Sequence, residues 1–199
     1  MDYSVLTKNL QKNNMQVFVL KNRSEVLDKI KTLVQQKDKV CFGGSVTLDE
    51  CGVTDFFNKN YTVLQRIEAN SADVLFSGAN AITMDGEIYN VDGIGNRVAA
   101  NIYGPKSVIV VAGRNKIVKD LKEANIRVKT IAAPKNCVRL KKDTFCAKKG
   151  YCKSIEDKNT GFTAGCDSND RICCAYTILG LQRIKDRIKI ILVDENLGL

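Results

Sequence analysis

Histidine occurs nowhere in the 199 residues. Its absence removes Ser-His-Asp and Cys-His chemistry and every histidine-ligated metal site, so acid–base work falls to carboxylates, lysine, tyrosine or cysteine. Also missing is any apolar run near the roughly 20 residues that a membrane-spanning helix needs. The opening MDYSVLTKNLQKNN lacks the basic-then-apolar layout of an export signal. A cytoplasmic protein with no membrane partner is expected. The formal charge is +9, but no nucleic-acid motif or aromatic stacking platform accompanies it. The basic residues are scattered, Lys119, Lys122, Arg127 and Lys129 along one helical stretch and Arg183, Lys185, Arg187 and Lys189 around a turn. A solvated basic surface able to draw a small anion is expected, with no nucleic-acid partner.

With 44% hydrophobic and 27% charged residues, the chain has the balance of one globular domain over residues 1–199. Tyr3, Leu6 and Leu10 recur at helical spacing and predict an opening helix that ends near Asn13-Asn14. Residues 15–20 read as a strand, Ser24 as the N-cap of a helix presenting Val26, Leu27, Ile30, Leu33 and Val34, and residues 39–42 as a second strand. That is a β-α-β unit, which implies parallel pairing. Further strands are expected at 61–64, 72–76 and 107–112, the last buried on both faces. Gly113-Arg114-Asn115 is expected to open a long helix carrying Ile117, Leu121, Ala124, Val128 and Ile131. Pro134 would end it, and Asn136 would cap a shorter helix through Val138 and Leu140. Residues 175–181 and 187–193 read as two strands joined by a short polar turn, hence a C-terminal antiparallel hairpin. The class is α/β, a mostly parallel sheet flanked by helices.

Ligand signals gather where strands end. Gly43-Gly44-Ser45-Val46-Thr47 follows the second strand, and Thr47-Leu48-Asp49-Glu50 has capping-box spacing. Two glycines let a backbone approach an anionic head closely, although a tight strand-to-helix turn needs the same residues. Residues 71–101 are richer still. Ser77-Gly78-Ala79-Asn80 is a small-residue loop after a strand, Asp85-Gly86 marks a hairpin, and Asp92-Gly93-Ile94-Gly95-Asn96 leads into a helix from Arg97 that Gly104-Pro105 closes. In open α/β sheets such junctions keep the ligands. Arg114 and Lys116 form a further candidate anion contact, set against the commoner role of solvating a helix.

Five of the eight cysteines fall in the loop-like segment 145–175: Cys146, Cys152, Cys166, Cys173 and Cys174. Converging thiolates suit an iron–sulfur cluster, with zinc as the alternative, and would pin a segment that has little core of its own. The spacing matches neither a zinc ribbon nor a ferredoxin run. Cys41, Cys51 and Cys137 read as small buried hydrophobes, with Cys51 a nucleophile candidate should a site form at residues 43–50.

The segments FGGSVTLDECG, ADVLFSGANAITMDGEIYNVDGIGNRVAANIYGPKSVIVVAGRNKIV and IAAPKNCVRL resemble the LUD-domain family of lactate utilization proteins, LutC-like in size. The tail CAKKGYC…CDSNDRICC…RIKIILVDENLGL is similar to that of single-domain members. The resemblance implies the fold of ribose-phosphate isomerases, CoA transferases and DeoR-type sensor domains (NagB/RpiA/CoA transferase-like). It also implies a role in oxidation of lactate to pyruvate beside partner subunits that carry iron–sulfur clusters. Whether this chain is itself catalytic stays open, as does assembly into a homo-oligomer. In the related isomerases a glycine-rich loop like Gly43-Gly44-Ser45 holds phosphate and an acid at the position of Asn80 moves protons. An amide cannot do that, which leaves Asp85, Asp92 and Glu50 as acid–base candidates.

The expected ligand, a small carboxylate or phosphate, would sit among Gly43, Gly44, Ser45, Thr47, Gly78, Asn80, Gly93, Gly95, Asn96 and Arg97. Cys146, Cys152, Cys166 and Cys173 best match the family's cysteine pattern and are the expected ligands of a 4Fe–4S cluster, with Cys174 spare. Two further readings stand beside this one: an isomerase-like domain for sugar phosphates, and a non-enzymatic metal-binding adaptor.

Overall fold

A computed structural model describes residues 2–158 and 161–199; two residues of the cysteine-rich segment, 159–160, lie outside it. In chain order the strands are β1 (Gln16–Leu20), β2 (Lys39–Phe42), β3 (Thr62–Val63), β4 (Val74–Gly78), β5 (Ala81–Thr83), β6 (Ile88–Asp92), β7 (Ser107–Gly113), β8 (Ile117–Val118), β9 (Ala175–Leu179) and β10 (Ile188–Val193). The helices are α1 (Ser4–Lys12), α2 (Val26–Lys31), α3 (Val46–Glu50), α4 (Val53–Asn60), α5 (Asn96–Ile102), α6 (Leu121–Arg127), α7 (Ala133–Arg139), α8 (Phe145–Lys149) and α9 (Lys153–Glu156). No helix among the described residues is long and apolar enough to cross a membrane.

Two sheets organise the molecule. One has six strands in the order β1-β10-β7-β4-β2-β3, every pairing parallel. The other is mixed, β8-β5-β6-β9. The continuous apolar run of β7 is covered on both faces: Val108 and Val110 pack in one core with Leu6, Leu75 and Ile190, while Ile109 and Val111 pack in another with Ile30, Phe57 and Phe76. Each such side chain contributes about 1.5–3 kcal/mol on burial. The chain leaves the large sheet for the small one twice, from β4 through Ala79-Asn80 into β5 and from β7 through a 3₁₀ turn at Arg114–Lys116 into β8. A cleft forms where the sheets diverge.

Several expectations need correcting. The predicted C-terminal antiparallel hairpin does not exist: β9 pairs antiparallel with β6 in the small sheet, whereas β10 inserts parallel between β1 and β7 in the large one. A short link permits a hairpin without requiring it, and the apolar β10 found two-sided burial in the sheet centre. β1 and β2 run parallel but are not neighbours. Asn22, whose side chain accepts from Ser24 N, is the N-cap that Ser24 was expected to be. Asn136 caps nothing and instead accepts from Arg139 within α7. The helix predicted from residue 114 starts seven residues later, behind Asp120, which accepts from Glu123 N. Pro134 does not end it. A π turn at Val128–Ala132 re-spaces the backbone ahead of Pro134, which sits in the first turn of α7 where its missing N–H is tolerated.

Candidate functional site

At the C-terminal ends of β2, β4 and β6 lies a cavity of about 390 Å³, a size suited to a small metabolite. Its lining includes Gly43, Gly44, Ser45, Val46 and Thr47 after β2, Gly78, Ala79 and Asn80 after β4, Asp92, Gly93, Asn96 and Arg97 at the β6–α5 junction, and Lys116 after β7. Arg66, Ile172 of the cysteine-rich segment, Leu199, and Asn136 and Arg139 of α7 also line it. The structure therefore brings together nine of the ten predicted ligand-binding residues. The tenth, Gly95, stands just outside as the N-cap of α5, with φ +84°.

Local constraints place these residues. Gly44 has φ +66°, where a side chain is strained, and a Cβ there would press on Arg66 Nη2 at 2.8 Å. Gly43 faces Arg97, whose Cγ would lie 2.7 Å from an added Cβ. The expected capping box at Thr47 is not formed. Ser45 holds the N-cap position of α3 without a side-chain bond, and Thr47 is buried with its hydroxyl unpartnered.

Arg97 and Asn80, predicted to touch ligand, chiefly bind the protein itself. Arg97 donates to Asp92 Oδ1 from Nε (2.9 Å) and Nη2 (2.6 Å), to Asn80 Oδ1 (2.9 Å), to Val91 O (3.0 Å) and to Gly78 O (3.5 Å). Asn80 Oδ1 also accepts from Val91 N, and Asp92 Oδ2 accepts from Val98 N. The start of α5 is thus satisfied by the chain's own carboxylate.

The three acid–base candidates separate. Asp92 is neutralised by Arg97. Asp85 is exposed and lies outside the cavity, on a hairpin turn that α1 pins through Asn13 Nδ2 to Gly86 O (2.8 Å). Glu50 is exposed and accepts from Gly198 N at 2.8 Å, beside the cavity floor. Cys51, the nucleophile candidate, is buried and its thiol is pushed up to about 11, chiefly by desolvation, which suits an inert core residue.

What the sequence left on a solvated helix, the structure puts at the centre. Lys116 is 5% exposed, and its Nζ donates only weakly, to Ala79 O at 3.4 Å. Burial first, then the charges of Arg127 and Arg97, push its pKa down to about 7, with Glu50 acting the other way. Arg127, Lys129 and Arg187 are also buried rather than solvated, each donating to backbone carbonyls. The residues that follow β10 reach the cavity at Leu199. Asn115 clasps Leu197 from both sides, and a side chain at Gly198 would collide with the Thr47 hydroxyl and approach Lys116 Nζ to 3.4 Å.

The cysteine-rich segment walls the cavity at Ile172, with Cys174 N bonded to Asp92 O. Arg171 ties it, donating to the carbonyls of Cys166 and Cys173 and, at 3.3 Å, to Cys173 Sγ. The four nominated cysteines are not drawn into one ligand set: among the described residues no group of three or more Cys, Asp and Glu side chains could hold a metal. The close thiols are Cys146 and Cys137, Sγ to Sγ 3.6 Å, the latter having read as an isolated core residue. Their shared hydrogen bond favours the Cys146 thiolate and holds Cys137 protonated. Diamide is expected to oxidise this pair, both thiols losing hydrogen to the reagent as the S–S bond closes to about 2.05 Å. Peptide mapping should place the cross-link at Cys137–Cys146 and find none there in Cys137→Ser; a different pairing in the wild type would contradict the geometry.

The parallel α/β sheet thus opens at its strand ends into a cavity edged by Gly43, Gly44 and Gly78 and reached by Lys116. The LUD-domain profile matches residues 3–193. The chain belongs to the LUD domain family, a lactate-utilization-type domain. Its fold is similar to that of a DUF162 family protein from Deinococcus radiodurans, at 14% identity and TM-score 0.57, covering 96% of this chain and 94% of that one. A looser likeness, at 11% identity and TM-score 0.37 over 81% and 80% of the two chains, is to ribose 5-phosphate isomerase A from Methanocaldococcus jannaschii. No curated protein matches the sequence.

Proposed function

We propose that the protein acts in 2-hydroxy acid metabolism, lactate to pyruvate, by binding a small carboxylate in this cavity. The observation that carries the reading is the imbalance of charge: Lys116 lies in the floor, Arg66 and Arg139 stand at the exposed rim, and the lining's one acid, Asp92, is already paired. An anion entering meets these cations, and the lining sets no unpaired acidic side chain against it. Gly43 and Gly44 let Arg97 and Arg66 close against the loop that would meet the anion's head. In this reading redox chemistry falls to partner subunits that carry iron–sulfur clusters.

A sugar phosphate is the competing ligand, since phosphate satisfies the same cations. Lactate and pyruvate are expected to raise the melting temperature, and ribose 5-phosphate is not; the reverse pattern would transfer the site to the isomerase-like reading. Gly44→Val should reduce affinity at least about tenfold, equivalent to about 1.4 kcal/mol, while the far-ultraviolet circular dichroism stays native. Unchanged affinity would place the ligand elsewhere.

A further inference from the structure

We propose that Lys116 captures the carbonyl group of a 2-oxo acid, forming a reversible imine at the floor of the cavity. The inference rests on the anion-binding reading above and narrows its ligand to the keto member of the pair.

Three observations point there. Lys116 is buried without a carboxylate partner, although lysine is almost never buried unpaired. Lys129 shows what a structural strut looks like in this molecule: its Nζ donates to Gly161 O at 2.8 Å. Lys116 makes only the 3.4 Å approach to Ala79 O and lines an open cavity. Beside it the Thr47 hydroxyl is buried and unpartnered, and both groups border Gly198. An amine free of strong partners and space for a ligand therefore meet, with an unpartnered hydroxyl in the adjoining wall.

The protonation state agrees. An ordinary lysine at neutral pH is an amine in roughly one molecule of several thousand. With its pKa pushed down to about 7, a large share of Lys116 carries a free lone pair. Desolvation and adjacent cations are the usual means of activating such a lysine. The same cations that suppress its charge attract a carboxylate, which would set the neighbouring carbonyl against Nζ.

The step balances without a redox partner. The Nζ lone pair adds to the carbonyl carbon, the C=O π electrons move to oxygen, and the oxygen takes a proton as nitrogen loses one. Loss of that hydroxyl together with the remaining nitrogen proton, as water, then leaves C=N. A 2-hydroxy acid has no carbonyl and can bind only through its carboxylate, so the site would separate the oxidised acid from the reduced one.

Full-length protein incubated with pyruvate and sodium cyanoborohydride at neutral pH should gain one reduced pyruvyl group, mapped to Lys116. Lactate should add nothing, and acetone, lacking the carboxylate, should label at least about tenfold less. Lys116→Arg, confirmed folded by circular dichroism, should lose the adduct. Pyruvate that binds by calorimetry yet leaves no adduct would overturn the imine and spare the anion site; absence of both would overturn the two together. Adduct retained in Lys116→Arg, or formed with ribose 5-phosphate and not with pyruvate, would also overturn the proposal.

Discussion

Lys116→Met is expected to make the protein more stable and unable to capture its ligand. The lysine ammonium must be stripped of water to occupy a site that is 5% exposed, and methionine fills similar space without that cost. The groups that face it are Arg127 and Arg97, which oppose its charge, and Glu50, which favours it. A folded-state pKa of about 7 against an ordinary 10.5 means the unfolded chain binds the proton more tightly. Wild-type stability therefore rises with pH between those values, and the cost is fully present below about pH 7. Urea unfolding near pH 7 should show Lys116→Met more stable by about 2–4 kcal/mol, the gap shrinking as pH approaches 10. A gap that ignores pH, or a destabilised variant, would mean that Lys116 is an ordinary charged strut.

Lys116 also marks where sequence reading ran short. The stretch Gly113–Val118 was legible as a junction after a buried strand, and both Arg114 and Lys116 were visible as anion contacts. Helical spacing from Ile117 to Ile131 then absorbed them into a helix. In the structure Ile117 and Val118 are a strand and the true helix begins after Asp120. Three- and four-residue spacing continued across that boundary by coincidence, so the reading turned Lys116 outward when the chain turns it in. Short loops misled in the same way at the C-terminus, where apolar pattern identified β9 and β10 but not the different sheets they join. A pattern local in sequence, such as Asp85-Gly86 between β5 and β6, was read correctly because neighbouring residues alone determine it. The hydrogen bonds of Arg97 were not legible, since its partners Gly78, Asn80, Val91 and Asp92 come from the end of β4, the turn after it and the end of β6, which only the fold assembles.

Arg97→Ala should be the most damaging single change near the cavity. The Arg97 side chain is 11% exposed and that of its partner Asp92 9%, so removal leaves a buried carboxylate without its counter-charge, a loss of about 3–5 kcal/mol. The same change strips a donor from Asn80 Oδ1 and from Val91 O, groups that join the β4–β5 turn to the end of β6. Asp92 would still accept from Val98 N, so α5 keeps one capping bond and the loss should be concentrated in the cavity wall. Urea denaturation is expected to show that destabilisation, and hydrogen exchange should quicken at residues 78–80 and 91–98 before the six-stranded sheet opens. Asp92→Asn provides the control: an amide of the same shape keeps an oxygen for Arg97 and removes the stranded negative charge, so it should cost much less than Arg97→Ala. Adding Asp92→Asn to Arg97→Ala should then recover part of the lost stability. Equal losses in the two single variants, with no recovery in the double, would show that Arg97 works through packing against Gly43 instead of through its charge.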